Sequence, residues 1–349
     1  MTVKEQFELL KSTLGFSDLE ELQSELDNYL QEKNDDNTLA NTIAESRFSE
    51  GLKCPHCESK EVIKHGTVRG KQRFYCKECQ RTFGITTGTI FENSKLSMHQ
   101  WSKYIDCMTR KLTLRKCKEE VKISLKTAFF MRHKILFAIV NNLGIDELDG
   151  ITEMDETFFA ESFKGNHNRQ KKEWIAPRNS KKSRKRGKEV DYRGISHEQI
   201  CVSTAMGRKS GLVASPVCKG RLTTQCLLNL YTDKIEPQTT ICTDSHKAYP
   251  KFAEEIKAEL HQIESGKHKK GVLHINHINS LHSQLKNWII HDRKGVATKF
   301  LNNYLLWHTW NTKEKSLRGK AKANKMFSDS IVGNFCCTRQ DIRESVAFS

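Results

Sequence analysis

No run of about 18 apolar residues occurs anywhere in this chain of 349 residues, so it lacks a helix suited to crossing a bilayer. The N-terminus also lacks the basic, apolar and small-residue succession of a secretory signal. No internal repeat is evident, and no framework spacing relates Cys107, Cys117, Cys201, Cys218, Cys226, Cys242, Cys336 and Cys337. A disulfide-stapled fold is therefore not indicated, and a reducing cytoplasm is the expected compartment. Acid is scarce over most of the chain. The formal net charge is +16, yet the first 50 residues hold 12 acidic against 4 basic side chains, leaving +24 on the remainder. A body so basic favours a polyanionic partner, nucleic acid before an acidic membrane surface. The length suits two or three domains.

What is present begins with Cys54-Pro55-His56-Cys57 and Cys76-Lys77-Glu78-Cys79. Each Cys-x-x-Cys knuckle places two thiolates on one ion, and the pair completes the tetrahedral four-sulfur shell that zinc prefers. His56 and His65 are alternative ligands, but four cysteines already fill the shell. The intervening Glu61–Tyr75 reads as two short strands around a turn at Gly70. Together these form a zinc ribbon, whose metal is structural.

Residues 3–32 read as one or two amphipathic helices, with Phe7, Leu10, Leu14, Leu19, Leu22, Leu26 and Leu30 near helical spacing, followed by a polar linker over 32–38. Helices are expected over 98–142. Within them, Leu112–Val121, a turn at 122–124 and Leu125–Val140 read as helix-turn-helix, with Ser124 as cap. The second helix would then present Lys126, Thr127, Arg132 and His133 to a major groove. An ordinary helical hairpin fits the same pattern.

From Gly150 the pattern changes. Strands are expected at Ile151–Phe159, Gln199–Met206, Gly211–Val217, Thr239–Thr243 and Val272–Ile275. Helices are expected at Leu222–Lys234, Tyr249–Ile263 and about 277–290. Three meandering strands followed by helix, strand and helix match the ribonuclease H-like order. Between the first two strands, residues 164–188 hold 11 Lys or Arg and one Glu, including Lys181, Lys182, Arg184, Lys185 and Arg186. Such a loop suits phosphate contacts, or is simply a solvated loop. Trp174 within it would stack on a base or anchor the loop.

Strand alternation puts Glu153, Asp155 and Thr157 on one face, with Glu156 pointing away. Asp244 ends the strand 239–243, where a loop opens, and ligands collect at such strand ends. Two carboxylates on adjacent strands suit a pair of Mg²⁺ ions about 3.5–4 Å apart, the arrangement that supports in-line attack on a phosphodiester. Asn279 offers a neutral oxygen as third ligand, and Lys286 two turns later offers a point charge for phosphate. His277 and His282 are alternative ligands or ordinary helix-face residues.

Taken in order, the Cys-Pro-x-Cys ribbon, Gly84–Phe91 with Trp101, the helical segment, Met154-Asp155-Glu156-Thr157, Arg193-Gly194-Ile195-Ser196, Thr243-Asp244 with Tyr249, and His274-x-Asn276 resemble bacterial insertion-sequence transposases. The resemblance is to their zinc-ribbon group, insertion-sequence family fifteen-ninety-five, and covers about residues 50–310. It implies a DDE-type catalytic domain, with Asp155 and Asp244 at the first two catalytic positions and Lys286 at the trailing basic one. Position 279 departs from the usual Glu.

The expected fold is multidomain α+β. It comprises an acidic helical region (1–48), a zinc ribbon (50–92), a helix-turn-helix-like DNA-binding segment (97–145), a ribonuclease H-like domain (148–312) with a basic insertion (164–190), and a C-terminal tail (313–349). The implied function is binding of an element's terminal inverted repeats, with Mg²⁺-dependent cleavage and strand transfer; Mn²⁺ is an alternative cation. Implied partners are double-stranded DNA, both ends and target, and further copies in a homodimer or larger assembly. No membrane partner is expected, and the compartment is the bacterial cytoplasm, at the nucleoid. The competing readings are a DNA-binding regulator or domesticated transposase without catalysis, favoured by Asn279, then a structure-selective nuclease, then a zinc-ribbon module of the transcription or ribosomal kind. The acidic helices read as a dimerisation element or a shield for the basic surface. Cys336-Cys337 carries no assigned role.

Overall fold

Thr2 opens the first helix: its hydroxyl accepts from Glu5 N, and the Glu5 carboxylate accepts from Thr2 N. This helix, α1 (Val3–Thr13), is followed by α2 (Phe16–Arg47). The polar stretch 32–38, expected as a linker, lies inside α2, because it holds neither Gly nor Pro to interrupt the backbone ladder. The structure, a computed structural model, describes residues 2–48, 51–68, 71–144, 146–165, 195, 199–209, 211–263, 269–270 and 273–346. The chain divides into two compact units, Met1–Met131 with Ala323–Cys336 and Arg132–Lys322 with Cys337–Ser349. Among the described residues, no helix is long and apolar enough to cross a membrane.

In the first unit, β1 (Val62–Val68), β2 (Lys71–Cys76) and β3 (Thr82–Gly84) pair antiparallel in that order. The turn expected at Gly70 lies outside the described residues, and β3 was not anticipated. Phe74 packs against Phe83 with ring centres 5.5 Å apart, and Phe48 closes the small core edge-on. Three helices follow: α3 (Met98–Thr109), α4 (Leu114–Val121) and α5 (Leu125–Leu143), the last passing into the second unit at Arg132. Ser97 and Gln100 cap α3 reciprocally. Lys122, at φ +55°, turns the chain out of α4, and Ser124 Oγ accepts from Thr127 N at 3.0 Å to start α5. The Ser124 cap is thus where the sequence places it. Residues 323–336, silent in sequence, return to this unit: Phe327 stacks on Phe91 at 5.4 Å, and Arg47 donates to Asn334 Oδ1 at 2.6 Å.

The second unit is built on β4 (Ile151–Ala160), β5 (Gln199–Gly207), β6 (Leu212–Lys219), β7 (Thr240–Thr243) and β8 (Glu259–Gln262), with α6 (Thr224–Tyr231) and α7 (Tyr249–Glu255) between them. The strand order is β6-β5-β4-β7-β8, antiparallel from β6 to β4 and parallel from β4 to β8. β8 replaces the C-terminal half of a helix expected over 249–263. Lys257, at φ +57°, breaks that helix, and residues 259–262 then pair with β7. Met154, Ala205, Val213 and Ile241 face α6 and α7, burying Leu227, Tyr231, Tyr249 and Phe252. The odd-numbered residues of β4 face the other way. That face is covered by α8 (Asn276–Lys286), which follows the short hairpin β9 (Lys269–Lys270) and β10 (Leu273–His274). A π-helical turn, Asn287–Asp292, extends α8, and Trp288 in it meets Trp307 of α9 (Leu301–Lys313) at 5.0 Å. Two last helices are α10 (Gly319–Asp329), which spans the unit boundary, and α11 (Arg339–Glu344).

Candidate active site

The ribbon's four sulfurs converge. Cys54 and Cys79 lie 3.6 Å apart, as do Cys57 and Cys76. A tetrahedral shell with Zn–S bonds of about 2.3 Å has sulfur edges near ~3.8 Å, so the donor set fits zinc. Cys54 and Cys76 are buried, and the backbone N–H of Cys79 leads the effects that bring the Cys76 thiol down to about 7. Four protein ligands leave no open position, so a zinc ion held here would be structural.

The second cluster assembles across the sheet of the other unit. Parallel pairing sets Glu153 beside Cys242, so two residues further along Asp155 and Asp244 emerge side by side at the end of β7. Each carboxylate is fixed by a local backbone donor, Asp155 Oδ1 by Glu156 N at 2.8 Å and Asp244 Oδ1 by His246 N at 2.9 Å. Gln262 of β8 donates to the main-chain oxygens of Asp244 and His246, holding the loop after β7. Glu156 was expected to point away, and its side chain does lie toward α7, taking a 3.4 Å hydrogen bond from the Tyr249 hydroxyl. Its carboxylate nevertheless lies with those of Asp155 and Asp244, all within 4.8 Å of one another.

Burial and mutual repulsion raise these acids. Asp155 is pushed up to about 6, first by desolvation and then by Asp244, with Lys286 opposing. Glu156 is pushed up to about 7 by desolvation, then by Asp155 and Asp244. Three crowded carboxylates of this kind are stable together when protonated or when a cation sits among them. As all-oxygen donors they suit a hard divalent ion.

Glu153 explains how α8 is placed. It is fully buried, and its carboxylate accepts from His277 N at 3.0 Å and Ile278 N at 3.2 Å, the first-turn donors of α8. His277 Nδ1 at 2.6 Å, His274 Nδ1 at 3.3 Å and the Arg208 guanidinium at 3.4 Å surround the same group. A strand residue therefore caps the helix, two positions before Asp155 on the same face. Alternation revealed that shared face; the capping role depended on where α8 docks.

α8 consequently lays His282 over Asp155. His282 Nε2 is 2.7 Å from Thr204 Oγ1, and Nδ1 is 3.7 Å from Asp155 Oδ2. Burial, then the charge of Lys286, lowers the imidazole to about 4. Asn279 lies one turn earlier on the same helix face and is exposed, and Lys286 lies one turn later, close enough to act on Asp155. The structure thus gathers Asp155, Asp244, Glu156, His282 and Lys286, with Asn279 on the adjoining turn.

The expected DNA-facing set does not hold together. Lys126 is exposed and Thr127 half-buried beside Ser124. Arg132 requires correction: it is 2% exposed, its guanidinium 4.8 Å over the Trp307 ring, because its stretch of α5 faces the core instead of solvent. His133 is buried for the same reason, against Phe300. Lys181, Lys182, Arg184, Lys185, Arg186 and Trp174 lie outside the described residues.

Residues 147–312 match a family model described as the ISXO2-like transposase domain, and residues 34–82 match one described as the transposase zinc-ribbon domain. An uncharacterized protein in transposable element ISH50 of Halobacterium salinarum is 28% identical over 274 residues, 76% of this chain and 87% of the relative. Protein InsA of insertion element iso-IS1N from Shigella dysenteriae is 41% identical over 39 residues, 11% of this chain and 43% of that protein. Among solved structures, a pre-cleavage Mos1 transpososome aligns with 65% of this chain and 78% of that chain, at 10% identity and a TM-score of 0.22.

Proposed function

Since the chain belongs to the zinc-ribbon group of insertion-sequence transposases, we propose that it binds the terminal inverted repeats of its element and catalyses Mg²⁺-dependent strand cleavage and strand transfer. The observation that carries this reading is the meeting of Asp155 and Asp244 at the end of β7, beneath α8. The strand order β6-β5-β4-β7-β8 supports a ribonuclease H-like catalytic domain.

In this reading Asp155, Asp244 and Asn279 would hold the cations, and Glu156 would add the negative charge that Asn279 lacks. Divalent ions held there would stabilise the charge that develops on the attacking and leaving oxygens of an in-line displacement on phosphorus. The protein's own groups do the rest. Asp155 and Glu156 must release their protons to bind a cation, and Lys286 holds a substrate phosphate as a point charge. Glu153 keeps α8 over the strand so that these groups stay in register. Water serves as nucleophile in cleavage: its oxygen forms the new P–O bond as the bond to the DNA 3′ oxygen breaks, and one of its protons ends on that departing oxygen, giving a 5′ phosphate and a 3′ hydroxyl. That 3′ hydroxyl then attacks a target phosphodiester, displacing a second 3′ oxygen with no change in the number of phosphodiester bonds. The ribbon and the α4–α5 segment, with Lys126 and Thr127, would contact the ends. The basic stretch with Lys181, Lys182, Arg184, Lys185 and Arg186 would contact phosphates, and pairing of two ends calls for at least a dimer.

Incubation with inverted-repeat DNA and Mg²⁺ tests the assignment. Asp155→Ala or Asp244→Ala should lower cleavage by roughly 10³-fold or more while end binding persists. Normal cleavage by either variant would overturn it.

A further inference from the structure

The hydrogen bonds around His282 assign its tautomer. Thr204 has one hydroxyl proton, and its oxygen sits 2.8 Å from the main-chain oxygen of Asp155, which can only accept. That proton is therefore committed. The second contact of Thr204 Oγ1, 2.7 Å to His282 Nε2, then requires Nε2 to carry the hydrogen. Neutral imidazole has a single N–H, so Nδ1 is left with its lone pair. Nδ1 faces Asp155 Oδ2 at 3.7 Å, beyond hydrogen-bond reach, and makes no hydrogen bond among the described residues.

Two lone pairs thus face each other across a gap of 3.7 Å. A shared cation resolves this: two ligands at about 2.1 Å from one metal are spaced by roughly 3–3.7 Å, depending on the angle between them. The hydroxyl on Nε2 completes the pattern of metal-binding histidines, whose second nitrogen donates to a fixed acceptor that orients the ring.

We propose that His282 Nδ1 is a ligand to a divalent cation shared with Asp155, making it the principal helix-borne ligand of this site, with Thr204 as its orienting partner. Asn279, three residues earlier and exposed, is then a minor contributor. The inference deepens the catalytic reading above and rests on it for the cation. It also changes the metal preference. An all-oxygen site favours Mg²⁺, whereas an imidazole nitrogen raises affinity for transition ions, so this site should prefer Mn²⁺.

The neighbouring cluster of Glu153, His274 and His277 has metal-like spacing but does not carry the same argument. Glu153 already accepts from two backbone N–H groups and lies beside the Arg208 guanidinium, a cation that occupies the place of a metal.

Electron spin-echo spectroscopy of Mn²⁺ bound to the zinc-loaded full-length protein tests the proposal without any substitution. A ¹⁴N coupling of the size given by directly bound imidazole is expected, lost in His282→Ala and kept in Asn279→Ala. Mn²⁺ affinity should fall about tenfold or more in His282→Ala and several-fold in Thr204→Val, with Mg²⁺ affinity changed much less. Mn²⁺ bound through Asp155 without nitrogen coupling would overturn the role of His282 and leave the cation site standing. Failure of Asp155→Ala to weaken Mn²⁺ binding would overturn the cation site itself.

Discussion

The ribbon and the carboxylate cluster are two candidate metal sites of opposite construction. The ribbon's ligands come from two tight knuckles on one small sheet, and together they saturate the ion. The carboxylate cluster draws Asp155 and Glu156 from β4 and Asp244 from the end of β7, with His282 of α8 beside Asp155. An ion held by these groups alone would keep coordination positions open, which a substrate phosphate and water require. A closed shell stabilises a fold too small to hold itself together, whereas an open one is crowded with like charge that the surrounding fold must restrain.

That contrast predicts separable failures. Replacing Cys76 with Ser should abolish stoichiometric zinc binding and with it inverted-repeat binding, while the second unit keeps its own unfolding transition; zinc content and calorimetry read both. Two lost transitions would show that the ribbon is not an independent unit. The Glu153→Gln change removes the charge under α8 but preserves the shape of the cap. Hydrogen exchange across residues 276–286 should quicken about tenfold, with cleavage down roughly 10–100-fold and end binding unchanged. Unaltered exchange would mean that α8 is held by its apolar contacts alone.

The smallest effect is one of pH. Asp155 and Glu156 are raised to about 6 and about 7 in the folded protein. In magnesium-free buffer the folded state therefore holds protons that the unfolded chain has already released. This contribution is present below the ordinary carboxylate range near pH 4 and is lost as pH rises through about 7. Tm of the second unit should fall by roughly 4–8 °C across that window, Mg²⁺ should restore it, and Glu156→Gln should flatten the curve. A pH-independent Tm would show that the carboxylates are not crowded in solution.

Residues whose role depends on near neighbours were legible. The two Cys-x-x-Cys knuckles, the Ser124 cap and the strand around Asp155 each follow from local spacing, and the resemblance of ordered motifs pointed to the transposase group. Residues whose role depends on docking were not. Glu156 read as pointing away, because alternation says nothing of how far a side chain reaches around a strand end. Arg132 read as exposed, because helical periodicity locates a face without saying what covers it. The turn at Lys257 that releases β8 needed a left-handed Lys that no composition signals. Residues 323–336 carried no motif, yet Phe327 fills a place against Phe91.

By itself the sequence determined the four-cysteine cluster, the basic body, most of the order of strands and helices from β4 to α8, and the neighbouring placement of Asp155 and Asp244, since these depend on residues near in the chain or on summed charge. Tertiary structure alone decided that Glu153 caps α8, that Glu156 joins the acids, and that Thr204 turns the Nδ1 lone pair of His282 toward Asp155. Each of these is a contact between distant segments. Its existence rests on strand register and helix docking, which hydrophobic burial sets over the whole sheet and no short stretch of sequence contains.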